Sequence, residues 1–212
     1  MKSLFLVALL FLVANSQAQA LVLAHSLAAP DSAIVEVSPS VYRGPRPTDR
    51  DLSYLAKLGV RTDINLQGGD LDNFGLETLV SYWEPGELPE NILQEKKQAE
   101  GLSLRFAHFP LNSLAPLTAS EDQAIDQILE LMNSPAARPV FIHCEKGVDR
   151  TGLLIALYHL KYQTGWSVDS AYQEWLDLGH GGVHEWFTGD LDTYYFQKAE
   201  QILKIRFANT NH

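Results

Sequence analysis

Ten consecutive residues, His143-Cys144-Glu145-Lys146-Gly147-Val148-Asp149-Arg150-Thr151-Gly152, bring a thiol, a guanidinium and a hydroxyl close together. The apolar run Val140-Phe141-Ile142 precedes them and a helical pattern from Thr151 to Tyr162 follows. The segment is therefore expected to be the loop between a buried strand and a helix amino end, where backbone N–H groups aim at an anion. Gly147 lets such a loop turn tightly. Arg150 offers a planar fork that can bind two phosphate oxygens at once. Beneath these donors Cys144 sits where a thiolate is stabilised. Thr151 is placed to donate its hydroxyl to that sulfur, and His143 is expected to hydrogen-bond the loop backbone. Cys144 is the chain's one cysteine, which excludes an internal disulfide and a zinc site built from several thiolates.

The elements that must position this loop follow in order. Thr48 to Asp51 resembles a capping box, Leu52, Leu55 and Leu58 follow at helical spacing, and Gly59 stops the helix. Val60 to Leu66 predicts a strand, Asn91 to Ala99 a helix and Leu104 to Phe109 another strand. Residues 70–90, with Trp83, Pro85 and Pro89, read as an elaborated surface loop rather than a lid. Ser120 is expected to cap a helix whose apolar face is Ile125, Ile128, Leu129 and Met132. Val140 to Ile142 suits a buried parallel strand. Helical patterns then cover Ser167 to Leu178, with Ala171, Trp175 and Leu178 inward, and Leu191 to Phe207. Strands alternating with helices predict a single α/β domain with a central, mainly parallel sheet flanked by helices.

Composition narrows the setting. Of 212 residues 46% are hydrophobic and 20% charged, ordinary globular usage. The formal net charge of −10 argues against nucleic acid and against stable docking on anionic membrane. Lys2, the apolar run Leu4 to Ala14 and Ala18-Gln19-Ala20 read as a signal peptide over residues 1–20, too short to span a bilayer. A leader segment over 21–40 and a catalytic domain over 41–212 are expected to follow, exported to a periplasm or the medium.

The pattern His-Cys, five residues, Arg, Thr resembles the signature of the cysteine-dependent protein tyrosine phosphatase superfamily. Tyr42-Arg43-Gly44-Pro45-Arg46-Pro47, the helix to Gly59, and Ile64-Asn65-Leu66 are similar to the start of its compact, dual-specificity-like members. Trp166, Ala171, Glu174 and Gly179 fall where such proteins continue after the signature, while Arg43 and Arg46 are equally readable as structural or solvated. The resemblance implies that Cys144 attacks phosphorus in line, and that water then hydrolyses a phosphocysteine. The amides of Glu145, Lys146, Gly147, Val148, Asp149 and Arg150, with the guanidinium, would stabilise the transferring oxygens. No metal and no cofactor is required. His180 and His184 read as structural, because Gly181-Gly182 spoils a helical ligand pair.

Many superfamily members carry an acidic residue on a loop before the signature, yet Phe106 to Ser120 contains no Asp or Glu. Asp149 is the first candidate for the general acid, its alternative being a carboxylate paired with a nearby arginine. Asp122 comes second, and the use of no acid, favouring good leaving groups, third. Lys146 adds charge suited to a substrate bearing several phosphates. The expected substrate is a phosphorylated small molecule, with inositol polyphosphate slightly ahead of a phosphotyrosine protein; phosphoinositides are a further alternative. An inactive phosphate-binding module and a rhodanese-like sulfur transferase are the competing classes.

Overall fold

The structure, a computed structural model, describes residues 31–68, 88–111, 117–180 and 185–210. All of them belong to one compact unit, Asp31–His212. Its strands are β1 (Val35–Ser38), β2 (Val41–Gly44), β3 (Thr62–Asn65), β4 (Arg105–His108) and β5 (Val140–His143). Its helices are α1 (Asp49–Lys57), α2 (Glu90–Gly101), α3 (Ala119–Asn133), α4 (Asp149–Tyr162), α5 (Val168–Asp177) and α6 (Glu185–Thr210).

The five strands form one sheet in the order β1-β2-β5-β3-β4. β5 is central and parallel to both β2 and β3, β4 is parallel to β3, and only β1 is antiparallel to its neighbour. The expected mainly parallel α/β sheet is the one observed. Successive side chains of a strand point to opposite faces, and β5 shows what that achieves. Val140 and Ile142 enter the larger core, with Ile125, Ile128, Leu129 and Met132 of α3 and the apolar residues of α4, α5 and α6. Phe141 enters the smaller one, with Leu52 and Leu55 of α1 and Ala99 of α2. The strand is thus buried on both sides, as parallel strands are, and its C-terminal end is fixed from two directions.

Several boundaries differ from expectation. The leader expected over 21–40 contains β1, whose Val35 pairs with Arg43, so the chain joins the sheet before residue 41. α3 is capped by Thr118, not Ser120. The Thr118 hydroxyl accepts from the Glu121 N–H, and the Glu121 carboxylate accepts from the Thr118 N–H. α4 opens at Asp149, two residues ahead of Thr151. Leu178 is only half-buried, while Ala171 and Trp175 are inward as expected. The segment 1–30, which includes the expected signal peptide, lies outside the described residues, as do most of 70–90 and His184. Among the described residues no helix is long and apolar enough to cross a membrane.

Candidate active site

The sequence-predicted loop runs from the end of β5 into α4. Three helices, α1, α3 and α5, are closed at their amino ends by capping boxes from Thr48, Thr118 and Ser167. α4 is not: its N-cap is Val148, which makes no side-chain cap bond. α2, entered through Pro89, shares that lack, but only α4 begins at a tight loop carrying the thiol and guanidinium. The first-turn N–H groups of α4 are therefore left for an anion, reinforced by the positive end of the helix dipole.

The loop's carbonyls explain how its amides are turned. The Glu145 carbonyl accepts from the Arg46 N–H at 3.1 Å. The Gly147 carbonyl accepts from Arg43 Nη2, and the Val148 carbonyl from Trp175 Nε1 at 3.2 Å. In a planar trans peptide the next N–H points opposite to the carbonyl. Drawing these carbonyls outward therefore turns the amides of Lys146, Val148 and Asp149 away from those donors, the arrangement of an anion-binding nest. Gly147 makes the curvature possible at φ +71°; a Cβ there would lie 2.3 Å from the Gly44 carbonyl. Gly152 leaves room for Trp175, whose ring would meet a Cβ at 2.1 Å.

Cys144 is buried, 3% exposed, at the floor of this loop. Arg150, also buried, anchors Nη1 on the carbonyls of Leu66 at 3.3 Å and Leu111 at 3.2 Å, beyond the ends of β3 and β4. Those two bonds set the guanidinium plane. Arg43 is a second buried cation; burial pushes its pKa down while Cys144 and Glu174 pull it up. Lys146 is exposed, and Glu145 is half-buried, held by Arg46 and by Gln67 Nε2 at 2.5 Å. The expected Thr151 bond to sulfur is absent. Thr151 Oγ1 is buried, with no hydrogen-bond partner among the described residues.

Among the described residues Asp149 forms its ion pair with a histidine, not with an arginine. Its Oδ1 accepts from His180 Nδ1 at 2.8 Å, and His180 Nε2 reaches Asp192 Oδ1, also at 2.8 Å. Tyr172 donates to the same Asp192 oxygen, and the His180 ring stacks on Trp175 at 3.7 Å. Burial pushes His180 down, but the two carboxylates outweigh it and raise its pKa. Asp122 is committed elsewhere, accepting from Tyr194 at 2.6 Å and from Lys198 at 3.0 Å, which hold its carboxyl below the usual range against the effect of burial.

His143 does contact loop backbone, with Nδ1 3.3 Å from the Cys144 carbonyl. Its Nε2 instead meets Glu95 Oε1 at 3.0 Å, with Asp63 Oδ1 at 3.4 Å. Asp63, Glu95 and His143 are the grouping among the described residues with cation-ligand atom types, all within 4.8 Å. The short Nε2–Oε1 separation is that of a hydrogen bond. Sequence reasoning passed over Asp63, Glu95 and Gln67, and left Arg43 and Arg46 undecided.

A thiol at the end of a central parallel strand, a nest of amides and an anchored arginine at the next helix define the cysteine-dependent protein tyrosine phosphatase superfamily in its compact, dual-specificity form. The chain belongs to the family described as DSP-PTPase phosphatase fused to NAD+ kinase, whose pattern matches residues 14–182. It is 24% identical over 153 residues to the dual specificity protein phosphatase TpbA of Pseudomonas aeruginosa, covering 72% of this chain and 56% of TpbA. A crystal structure of TpbA in complex with pTyr superposes with a TM-score of 0.57 at 21% identity, over 87% of this chain and 94% of that one. The inositol diphosphatase DSP2 of Arabidopsis thaliana is 25% identical over 157 residues, 66% of this chain and 59% of DSP2. The core catalytic domain of the PP-IP phosphatase SIW14 from S. cerevisiae shares the fold at a TM-score of 0.58 and 18% identity, over 87% of this chain and 96% of that one. The chain thus spans less than two thirds of the curated relatives it matches.

Proposed function

We propose that this protein is an exported, cysteine-dependent phosphatase that hydrolyses phosphomonoesters through a phosphocysteine, with a slight preference for inositol polyphosphates. The observation that carries the reading is the loop itself: Cys144 at its floor, carbonyls tied outward, and Arg150 anchored beside it. Cys144 Sγ attacks phosphorus as the bond to the leaving oxygen breaks, and the amides and Arg150 hold the equatorial oxygens. The leaving oxygen takes a proton from Asp149. Water then attacks the phosphocysteine and gives up a proton to Asp149, restoring the acid, as the S–P bond breaks to release phosphate and the thiolate. Asp149 takes this role because it adjoins Arg150 at the amino end of α4, with His180 fixing the orientation of its carboxyl, whereas Asp122 lies on α3 and is bound to Tyr194 and Lys198.

The inositol preference is supported by exposed Lys146 on the rim of the loop and by the names of two relatives, an inositol diphosphatase and a PP-IP phosphatase. The second reading, a tyrosine or dual-specificity protein phosphatase, is favoured by the pTyr complex of TpbA. Phosphate release by wild type and by Cys144→Ser, from phytate and from a phosphotyrosine peptide at matched concentration, tests both. Turnover of phytate lost in the variant supports the first reading, and turnover of the peptide alone the second. No turnover by wild type sinks the enzyme. Asp149→Asn should remove one limb of the pH–rate profile; two unchanged limbs would remove Asp149 as the acid. Export through residues 1–20 predicts a mature chain beginning at Leu21, which amino-terminal sequencing of the exported protein would read.

A further inference from the structure

Three ionisable side chains are sealed together behind the nucleophile, on the face of β5 that also carries Phe141. Asp63 of β3 and His143 of β5 are fully buried, and Glu95 of α2 is 5% exposed. The acceptors around His143 decide its protonation. Nδ1 faces the Cys144 carbonyl, which can only accept. Nε2 faces Glu95 Oε1, which already accepts from Asn65 Nδ2 at 2.9 Å. An ionised Glu95 oxygen can only accept, so beside it both ring nitrogens donate and the ring is an imidazolium.

The carboxyls pose the complementary problem. Both Asp63 oxygens and Glu95 Oε2 are buried and make no close hydrogen bond among the described residues, Asp63 Oδ1 standing 3.4 Å from His143 Nε2. Two ionised carboxylates beside one imidazolium would leave a net negative charge in the buried interior. One proton between the carboxyls makes the trio neutral, and turns one orphaned acceptor into a donor for the other. Burial pushes Asp63 toward its protonated form and Glu95 adds to that, against the pull of His143. Burial alone would push His143 down, whereas Glu95 and Asp63 lift it to about 10. Among the described residues, His108 of β4, whose pKa burial lowers, Arg43 of β2 and Arg150 of α4 also surround the trio and the thiol.

We propose that Asp63 and Glu95 share one proton and hold His143 as a permanent imidazolium behind Cys144, making Glu95 a positioning residue for the nucleophile. The inference rests on Cys144 being the nucleophile. The imidazolium acts in two ways: Nδ1–H pins the Cys144 carbonyl, and its charge favours the thiolate over the thiol. Glu95 carries the negative charge that keeps the ring protonated, and Asp63 is its neutral partner. The two carboxyls are therefore not equivalent. An amide imitates a protonated carboxyl but not an ionised one, so Asp63→Asn and Glu95→Gln should behave differently.

Two measurements test this without requiring turnover. In the wild type, the 15N shifts of His143 should report both ring nitrogens protonated at pH 7.5; a neutral tautomer there overturns the proposal. The rate of Cys144 alkylation by iodoacetamide, followed against pH, should move to higher pH by about one unit in Glu95→Gln, a roughly tenfold slower reaction on the acidic side. Asp63→Asn should leave the profile in place. Superimposable profiles for wild type and a folded Glu95→Gln protein, or a larger shift in Asp63→Asn, would refute the assignment. So would a stoichiometric divalent metal in the purified protein, since the trio would then be a cation site. Inactivity toward every phosphate ester tried, with the alkylation shift intact, would instead count against the phosphatase reading alone.

Discussion

Gly147→Ala separates the two reasons for a glycine at the turn of the loop, because the fold supplies its own control. Gly147 and Gly59 have similar positive φ angles, +71° and +82°. A Cβ at Gly59 meets nothing within 4 Å, whereas at Gly147 it lies 2.3 Å from both the carbonyl carbon and oxygen of Gly44, and 2.6 Å from Pro45 N. Left-handed backbone costs alanine about 1–2 kcal/mol at either position. At Gly147 the loop or the end of β2 must also move by about 0.7 Å to reach the 3.0 Å floor of real Cβ contacts. Such overpacking adds about 1–3 kcal/mol. Gly44 pairs with His143 in the sheet, so the movement is transmitted to the residue beside the nucleophile. Gly59→Ala should lower the melting temperature by roughly 2–8 °C, and Gly147→Ala by roughly 4–20 °C, at about 2–4 °C per kcal/mol. Displacing the amides by a large part of an ångström should reduce kcat/KM on an aryl phosphate about 100-fold in Gly147→Ala, with Gly59→Ala unchanged. Calorimetry and steady-state kinetics on both proteins decide it. Equal losses of stability with full activity in Gly147→Ala would show that the loop does not depend on its contact with β2.

Arg43→Met should lower kcat/KM about tenfold and cost about 1–3 kcal/mol in denaturant unfolding, because it orphans the Gly147 carbonyl while keeping most of the side chain's apolar volume. Trp175→Phe should cost about 1 kcal/mol by the same measurement, through loss of the bond to the Val148 carbonyl. His180→Gln should destabilise in a pH-dependent way. Its folded pKa is raised, so the histidine's electrostatic contribution is full below about pH 6.5, its unfolded value, and fades as pH rises through the higher folded value. Melting curves of both proteins should therefore lie furthest apart at low pH and converge at high pH; a gap that widens with pH would contradict the ion-paired assignment.

The elements that were legible in the sequence are those whose signal is local. Thr48 and Asp51 form the expected box, Ser167 caps α5, and the apolar run at Val140 is the central strand. Thr118 was legible too, since Glu121 stands three residues on, but Ser120 has the same chemistry and sits nearer the apolar stripe. β1 gave little to read. It is four residues long, with Val35 and Glu36 exposed, and it owes its strand conformation to pairing with β2 rather than to its own pattern.

The site divides in the same way. Cys144, Gly147, Asp149 and Arg150 lie within one short stretch of chain, so their chemistry can be read from spacing. The groups that shape the loop lie far off in sequence: 104 residues separate Arg43 from Gly147, 78 separate Gln67 from Glu145, and 48 separate Glu95 from His143. No spacing rule reaches that far. Yet Glu95 did leave a trace. It falls in one row with Ile92 and Ala99, the i, i+3, i+7 positions that α2 turns to the interior, and these are its three buried residues. A lone carboxylate on the apolar row of a helix cannot be solvated there, so it must meet a cation or carry a proton. The same holds for Asp63, second in a strand whose four residues are all buried. Two such carboxyls, on elements that pack against the strand ending in His143, call for one imidazolium and one shared proton between them.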